Sequence, residues 1–365
     1  MENRNKSKKA DFKITFLAGT LGTGGAERQL FYLISNLRKE GYSVSVICLT
    51  QNEFWEKSIM DLGVDIHFAG SSSNRIKRLY YIYRTVKRIK PNLIYSFHFY
   101  TNAYAGLTGL ICSIRTFGSI RSDGTSEKKA NGYLSWAHYF LPDVIIANSE
   151  HGLKNCKRIF YSKRSGVLPN VIDLEKFQYS QPRNESPFRL VFIGRMEEQK
   201  QPFLFLRLME LLVEKDFDCE GVMYGDGSLK SRLISLKESR FSHVPIQIFP
   251  SHANIEEIYQ TSDCLVILSK YEGTPNVVLE AMASGLIVAA LSFDGIENII
   301  ESRLDGLIAD DLDNLVQEIS LCFRHKSYLN LSKLARMKIE RDFALKSQIN
   351  KFESLLLKFS FNDSL

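Results

Sequence analysis

Two carboxylates eight residues apart, Glu272 and Glu280, flank the string Gly273-Thr274-Pro275-Asn276-Val277. Val-Ile-Leu at 266–268 reads as the end of a buried strand, Gly273 supplies a turn, and Pro275 suits a first helical turn, where its missing N–H is not needed. Val278, Leu279 and Met282 then fall at helical spacing. Such a strand–loop–helix corner offers free backbone N–H groups and a positive dipole end, which suit an anion such as a diphosphate. Glu272 in the loop and Glu280 about a turn inside the helix could face one polyhydroxyl ligand. A sugar nucleotide meets that description. The plainer alternative is a capping Glu272 and a solvated Glu280.

A second constellation lies upstream. Phe192-Ile193-Gly194-Arg195 ends a strand at a glycine, and Lys200 follows five residues after Arg195. One guanidinium and one ammonium at a loop can neutralise a diphosphate leaving group as its charge grows. Gly225-Asp226-Gly227-Ser228 forms a further glycine loop after an apolar run. Near the start, Gly22-Thr23-Gly24-Gly25-Ala26-Glu27-Arg28 joins a strand to a helix, where glycine lets backbone approach a ligand. It is not a dinucleotide fingerprint. G-x-G-x-x-G is out of register, and Thr50-Gln51-Asn52, after the next strand, offers no carboxylate for a ribose. His98 ends another strand, and Arg121 and Asp123 follow the next.

The run from Glu272 to Glu280 resembles the E-x7-E signature of retaining glycosyltransferases of family 4, which have the two-domain GT-B fold. The resemblance covers nearly the whole chain. It implies that Glu272 touches the donor sugar and Glu280 the nucleotide ribose, with Gly273, Thr274, Pro275, Asn276 and Val277 around the donor. Arg195 and Lys200 are similar to the family's donor-phosphate pair, and Gly225 to its loop near the base. The GGAER string resembles the first loop of enzymes that build surface polysaccharides and glycolipids. By that likeness Gly24 and Gly25 lie near the donor phosphate, Glu27 and Arg121 on the acceptor side, and His98 against the donor sugar. Asn170 and Asp173 in Pro-Asn-Val-Ile-Asp resemble a hinge motif that has lost its glycine. The loop Asp294-Gly295-Ile296-Glu297-Asn298 departs from the family's G-G-x-P-E, so no role is carried over to it. The resemblance also implies a UDP-linked donor and no metal or other cofactor.

These residues need a scaffold that brings strand ends together. Strands over 12–18, 44–49, 64–68, 93–97, 116–120 and 144–147 alternate with helices over 26–39, 74–90, 101–112 and 130–140. A second alternation places strands at 189–193, 219–223, 246–249, 264–268 and 286–291, with helices at 201–215, 253–260, 275–284, 312–323, 328–341 and 344–359. Strict alternation predicts parallel, doubly wound α/β sheets. The expected organisation is a disordered basic tail over 1–11, an acceptor-side domain over 12–168, a proline-rich linker over 169–187, and a donor domain over 188–343. A last helix within 344–365 would cross back to the first domain, and the two domains would face each other across a cleft.

The chain has 365 residues, 44% of them hydrophobic, enough for two cores. Its nearly uncharged stretch 101–114 is too short and too rich in Gly and Thr to span a bilayer. No signal peptide is visible in the polar, basic start. Six scattered cysteines without CxxC indicate free thiols in a reducing cytosol. Net charge is +12 over residues 1–182 and −6 over 183–365. A run of seven cations without an acid occupies 75–90. It is either the solvated face of a core helix or a surface for anionic lipid headgroups. No nucleic-acid motif accompanies it. The expectation is a cytoplasmic enzyme, either free or peripheral on the inner face of the membrane, moving a sugar from a nucleotide donor to a lipid-linked or glycan acceptor. A sugar-nucleotide epimerase of the same fold and a non-catalytic nucleotide-sugar or membrane-binding module are the alternatives.

Overall fold

The computed structural model describes residues 9–69, 74–122, 135–157, 164–183, 185–251 and 254–360. The chain divides into two compact units, Met1–Val171 with Leu345–Leu365, and Ile172–Ala344. In the first, β1 (Lys13–Ala18), β2 (Ser43–Cys48), β3 (Asp65–Phe68), β4 (Leu93–Ser96), β5 (Arg115–Ile120), β6 (Val144–Ala147) and β7 (Arg164–Val167) form one sheet in the order 3-2-1-4-5-6-7. In the second, β8 (Phe188–Ile193), β9 (Cys219–Tyr224), β10 (Ile246–Phe249), β11 (Cys264–Ile267), β12 (Ile287–Leu291) and β13 (Leu307–Ala309) run in the order 10-9-8-11-12-13. Every pairing is parallel. Each unit is the parallel α/β sheet that the sequence predicts.

The composition of the strands explains the arrangement. LIYS in β4, VIIA in β6 and CLVI in β11 are buried at every residue. Strands covered on both faces carry such unbroken apolar runs, and parallel sheets obtain the cover from crossover helices. Both sheets reverse their strand order once, between β1 and β4 and between β8 and β11. At such a point neighbouring strands send their connections to opposite faces, which leaves a crevice beyond their carboxyl ends.

Most element boundaries lie within two residues of the sequence reading. Residues 123–134, which hold the start of the helix expected at 130–140, and Asp123, lie outside the described residues, as does the tail over 1–8. The tail's last residues are not loose: Lys9 Nζ pairs with Glu40 at 2.8 Å and Glu353 at 2.7 Å. Periodicity did not reveal β7, β13 or the helices Glu56–Met60, Glu150–Lys157 and Lys230–Arg240. The last of these buries only Leu233 in eleven residues, so almost no apolar stripe marks it.

The proline-rich segment read as a linker over 169–187 is largely part of the second unit. Ile172 and Phe177 lie in its core, and Arg183 forks onto buried Asp263 at 3.2 and 2.6 Å. Two apolar anchors and a bidentate ion pair outweigh the turn-forming prolines. The helix Leu345–Ser360 belongs to the first unit, where Ile349, Phe352, Leu355, Leu356 and Phe359 join the core of β1 and β4. Phe352 stacks on Tyr95 at 6.0 Å, and Tyr42 Oη donates to Glu353 at 3.0 Å.

Phe352→Ala should destabilise the first unit by about 3–5 kcal/mol, the usual cost of emptying a fully buried phenylalanine site. Urea denaturation followed by circular dichroism measures it. A loss below about 1 kcal/mol, the size of an average substitution, would mean that this helix is not integral to the first core.

Candidate functional site

The connections after β8 and β11, on either side of the order reversal, carry the two strongest sequence signals of the second unit. The structure joins them. Lys270 N donates to Gln199 O at 2.9 Å, and Gln199 Nε2 donates to Tyr271 O at 2.8 Å. Lys200 Nζ lies 2.5 Å from Glu272 Oε1, both side chains being more than four-fifths buried. The alignment is not that of a hydrogen bond, so this buried oxygen has charge compensation but no donor aimed along its lone pair. Arg195 is exposed on the same connection.

The helix Asn276–Ser284 begins one residue later than expected. Pro275, with φ −70° and ψ 114°, is its N-cap, an extended position that a proline ring tolerates. Gly273, Thr274 and Pro275 are buried, while Asn276 and Val277 are half-buried at the first turn. Glu280 differs from the sequence picture of an accessible second carboxylate. It is fully buried, and its Oε2 accepts a hydrogen bond from Tyr259 Oη at 2.8 Å. A ligand hydroxyl would have to displace part of its cover.

The glycine loop after β9 braces the cationic loop. Gly194 N donates to Tyr224 O, Met196 N to Asp226 O and Leu229 N to Met196 O, at 2.9–3.1 Å. A Cβ on Gly225 would sit 1.9 Å from Gly194 O, so only glycine allows this approach. Asp226 binds Lys230 Nζ at 2.5 Å and Ser251 N at 2.8 Å. The Lys230 ammonium, helped by Ser251, pulls its carboxyl down to about 2.

In the first unit, the connections after β1 and β4 meet in the same manner. Gly19 N donates to His98 Nδ1 at 3.1 Å, so the neutral ring carries its proton on Nε2, facing Glu27 Oε1 at 3.1 Å. Both side chains are buried. Glu27 is the third residue of the helix Gly25–Lys39, and a Cβ on Gly24 would lie 2.2 Å from its Oε2. The carboxylate therefore folds back over its own helix start, which the sequence reading expected to point at an external charge. Thr23, Gly24 and Gly25 themselves are exposed. Tyr100 lies over Gly19, where a Cβ would come within 2.0 Å of its Oη, and its ring centroid is 5.5 Å from that of His98. Burial, reinforced by Glu27, pushes the Tyr100 phenol up to about 12.

The Arg121 guanidinium stacks on Phe97 at 4.3 Å and donates to Asn170 Oδ1 at 2.6 Å, while Gln29 exchanges two hydrogen bonds with the Val171 backbone. Asp173 Oδ1 caps the next turn through Glu175 N and Lys176 N.

Four contributors escaped the sequence reading. Gln199 lies inside the FIGRMEEQK string, between the two cations that were noticed. Tyr259 and Tyr100 gave no local signal, because their partners are distant in sequence. Glu53 is one residue beyond the Thr50-Gln51-Asn52 segment searched for a ribose-binding acid. Its carboxylate instead turns back to Thr20 Oγ1 at 2.6 Å, Thr50 Oγ1 at 2.7 Å and the Leu21 amide, and so fixes the loop after β1.

Comparisons with known proteins identify the family and the fold. The family description "Glycosyltransferase Family 4" matches residues 23–176, and "Glycosyl transferases group 1" matches residues 173–336. The chain is 22% identical to UDP-Gal:alpha-D-GlcNAc-diphosphoundecaprenol alpha-1,3-galactosyltransferase of Escherichia coli, over 93% of this chain and 95% of that protein. It is 24% identical, over 87% and 90%, to a Campylobacter jejuni alpha-1,4-N-acetyl-D-galactosaminyltransferase acting on a diNAcBac-PP-undecaprenol glycan. Among solved structures, Anabaena Alr3699/HepE in complex with UDP and glucose superposes with a TM-score of 0.79 at 15% identity, over 94% of this chain and 99% of that one. The lipopolysaccharide outer core galactosyltransferase WaaB, apo form, gives 0.77 at 15% identity, over 95% and 99%.

Burial alone would raise the Glu53 carboxyl, but its three hydrogen bonds overcome it and hold the group below its ordinary value. Its stabilising contribution is therefore present above the unfolded carboxyl's titration near 4.5 and is lost as pH falls through the lower folded value. Glu53→Gln should cost about 1.5 kcal/mol at pH 7, the low end for hydrogen bonds to a charged group because this residue is part-exposed. The difference from wild type should shrink as pH falls below the ordinary glutamate range and the folded carboxyl takes up its proton. A loss that stays the same at neutral and at acid pH would show that the charge is not what holds the loop.

Proposed function

The chain belongs to the group 1, family 4 glycosyltransferases, and from that premise we propose that it is a retaining enzyme transferring a hexose from a UDP-sugar to a lipid-linked acceptor. The observation that carries this reading is the joined pair of loops in the second unit, where Lys200, Glu272 and Gln199 meet at the order reversal. The UDP complexes of the Anabaena protein and the diphosphoundecaprenol-linked acceptors named for the relatives support the choice of donor and acceptor.

In this reading Arg195 and Lys200 hold the donor diphosphate. As the bond from the anomeric carbon to the β-phosphate oxygen breaks, negative charge grows on UDP, and two cations fixed beforehand stabilise it. The acceptor hydroxyl forms its bond to the anomeric carbon on the same face, and its proton passes to the departing phosphate oxygen. UDP leaves, and the anomeric configuration is kept. The donor phosphate competes with Glu272 for Lys200, which frees the Glu272 carboxylate for sugar hydroxyls. Glu280 takes the ribose once its cover moves, and Gly225 borders the base. In the first unit, His98, held by the Gly19 amide and Glu27, faces the sugar, with Glu27 on the acceptor side. Arg121 acts through Asn170. The cation-rich helix Arg75–Ile89 holds the enzyme at an anionic membrane face. Among the described residues no helix is long and apolar enough to cross a membrane.

Arg195→Ala and Lys200→Ala should each lower turnover at least tenfold, about 1.4 kcal/mol of barrier. Arg195→Ala should leave the melting temperature unchanged, whereas Lys200→Ala should lower it, because Glu272 loses the partner of a largely buried ion pair. Glu280→Gln should weaken UDP binding, and Glu272→Gln should spare it while depressing turnover. Steady-state kinetics and UDP calorimetry separate these outcomes. Normal turnover in both cation variants removes the diphosphate clamp, and equal UDP losses in both glutamate variants remove the split of roles.

The membrane contact has its own test. Each cation near an anionic surface contributes about 1 kcal/mol, and the attraction decays over about 8–10 Å at physiological salt. Vesicles containing phosphatidylserine should float the protein at low salt and release it as salt rises. The triple variant Arg84→Gln, Lys87→Gln, Arg88→Gln should fail to float. A wild type that does not float at low salt refutes the membrane claim without touching the transferase reading.

A further inference from the structure

Glu280 sits on the helix Asn276–Ser284 that opens the candidate donor site, and a side chain from another helix reaches it inside the core. Tyr259, on the helix Ile255–Gln260, donates its phenolic hydrogen to Glu280 Oε2 at 2.8 Å. The same hydroxyl lies 3.4 Å from Val277 O, too far for that carbonyl to be its main partner. The Tyr259 ring is fully buried, lies 6.0 Å from Phe177 between centroids, and shares its core with Ile258, Val278, Leu279 and Met282. Close packing leaves such a ring one orientation, so its hydroxyl is a fixed point. A glutamate side chain has three rotatable bonds, and ordering it costs free energy that a ligand would otherwise have to supply. Here the phenol has already done that ordering.

The bond also divides the carboxylate's accepting capacity. An ionised carboxylate accepts at about four positions on its two oxygens, and Tyr259 takes one of them on Oε2. Two neighbouring hydroxyls of one ligand need two acceptors held side by side at a set angle. We propose that Tyr259 is a positioning residue for donor binding: by holding Oε2 it sets the Glu280 carboxylate in the orientation that accepts the 2′- and 3′-hydroxyls of the nucleotide ribose. The proposal rests on the assignment of Glu280 to the ribose above, and it adds what would make that carboxylate selective for a vicinal diol. Tyr259 acts through Glu280 and not on the ligand, since its ring and hydroxyl lie in the core. Without the hydroxyl, Glu280 would keep its place on the helix but lose the contact that fixes its carboxylate.

UDP and 2′-deoxy-UDP are the probes, titrated by calorimetry against the full chain. The wild type should bind UDP about tenfold tighter than 2′-deoxy-UDP, because the deoxy ligand leaves a buried acceptor short of a donor. Tyr259→Phe keeps the ring and removes only the hydroxyl. It should weaken UDP more than 2′-deoxy-UDP and cut the ratio of the two affinities by about threefold or more, the effect of one lost hydrogen bond. Glu280→Gln should cut the ratio as well, and adding Tyr259→Phe to it should cut it no further, because the phenol acts through that carboxylate. Ile258→Val, a mild truncation in the same core, should lower the melting temperature and leave the ratio at its wild-type value. Equal weakening of both nucleotides by Tyr259→Phe would mean that the hydroxyl serves only stability, and would overturn the proposal, as would a ratio lost in Ile258→Val. A ratio lost in Glu280→Gln but kept in Tyr259→Phe sinks the positioning role alone. A ratio kept in Glu280→Gln removes the ribose assignment itself, and the proposal falls with it.

Discussion

The reversal of strand order in each sheet is the constraint on which everything functional here depends. A parallel sheet closes its backbone hydrogen bonds strand to strand, and its connections must run over the faces. Where the order reverses, two adjacent connections leave for opposite faces, and their first residues cannot be covered by either helix layer. In the second unit those residues are 194–200 and 268–275, and in the first they are 19–24 and 97–98. The Lys200–Glu272 and His98–Glu27 pairs sit at these two places. The apolar strands beneath them, buried on both sides, hold the loops against rigid edges.

Charge in that setting is matched in pairs. Lys200 and Glu272 would each be expensive to bury alone, and their contact offsets the cost. Because the contact lacks hydrogen-bond geometry, it also leaves a carboxylate oxygen with unused accepting capacity. His98 and Glu27 form a comparable pair, with the ring's tautomer set by the Gly19 amide rather than by the carboxylate alone. Both pairs hold their side chains in fixed places, which limits the ordering that any binding partner would require.

Backbone contacts do the bracing. Gly225 approaches Gly194 more closely than any residue with a Cβ could, and the Asp226 carboxylate ties the same loop to Ser251. Gln199 spans the two loops with one donated and one accepted bond. Glu53 plays the corresponding part in the first unit, gathering two hydroxyls and an amide around the turn at Thr20 and Leu21. These groups fix the loops that carry Arg195, Lys200, Glu272 and His98.

Local sequence determined a great deal: the alternation of apolar strands and amphipathic helices, the parallel α/β class, the two-unit organisation and the loops bearing Arg195, Lys200, Glu272 and His98. These are properties of periodicity and of residue types within a few positions, and each is legible in a short window. Partners were not legible, because tertiary contacts pair residues without regard to sequence distance. Glu27 meets His98 across 71 positions and Gln199 meets Tyr271 across 72. Burial was decided in the same way. Glu280 has the spacing of an accessible helix residue, yet Tyr259 and the surrounding core enclose it. The helix at 75–89 has the pattern of one with a buried aromatic face, yet the fold leaves Tyr80 and Tyr81 exposed, with no element among the described residues packed over them. A sequence can state which face of a helix is apolar; only the packed structure decides whether anything covers it.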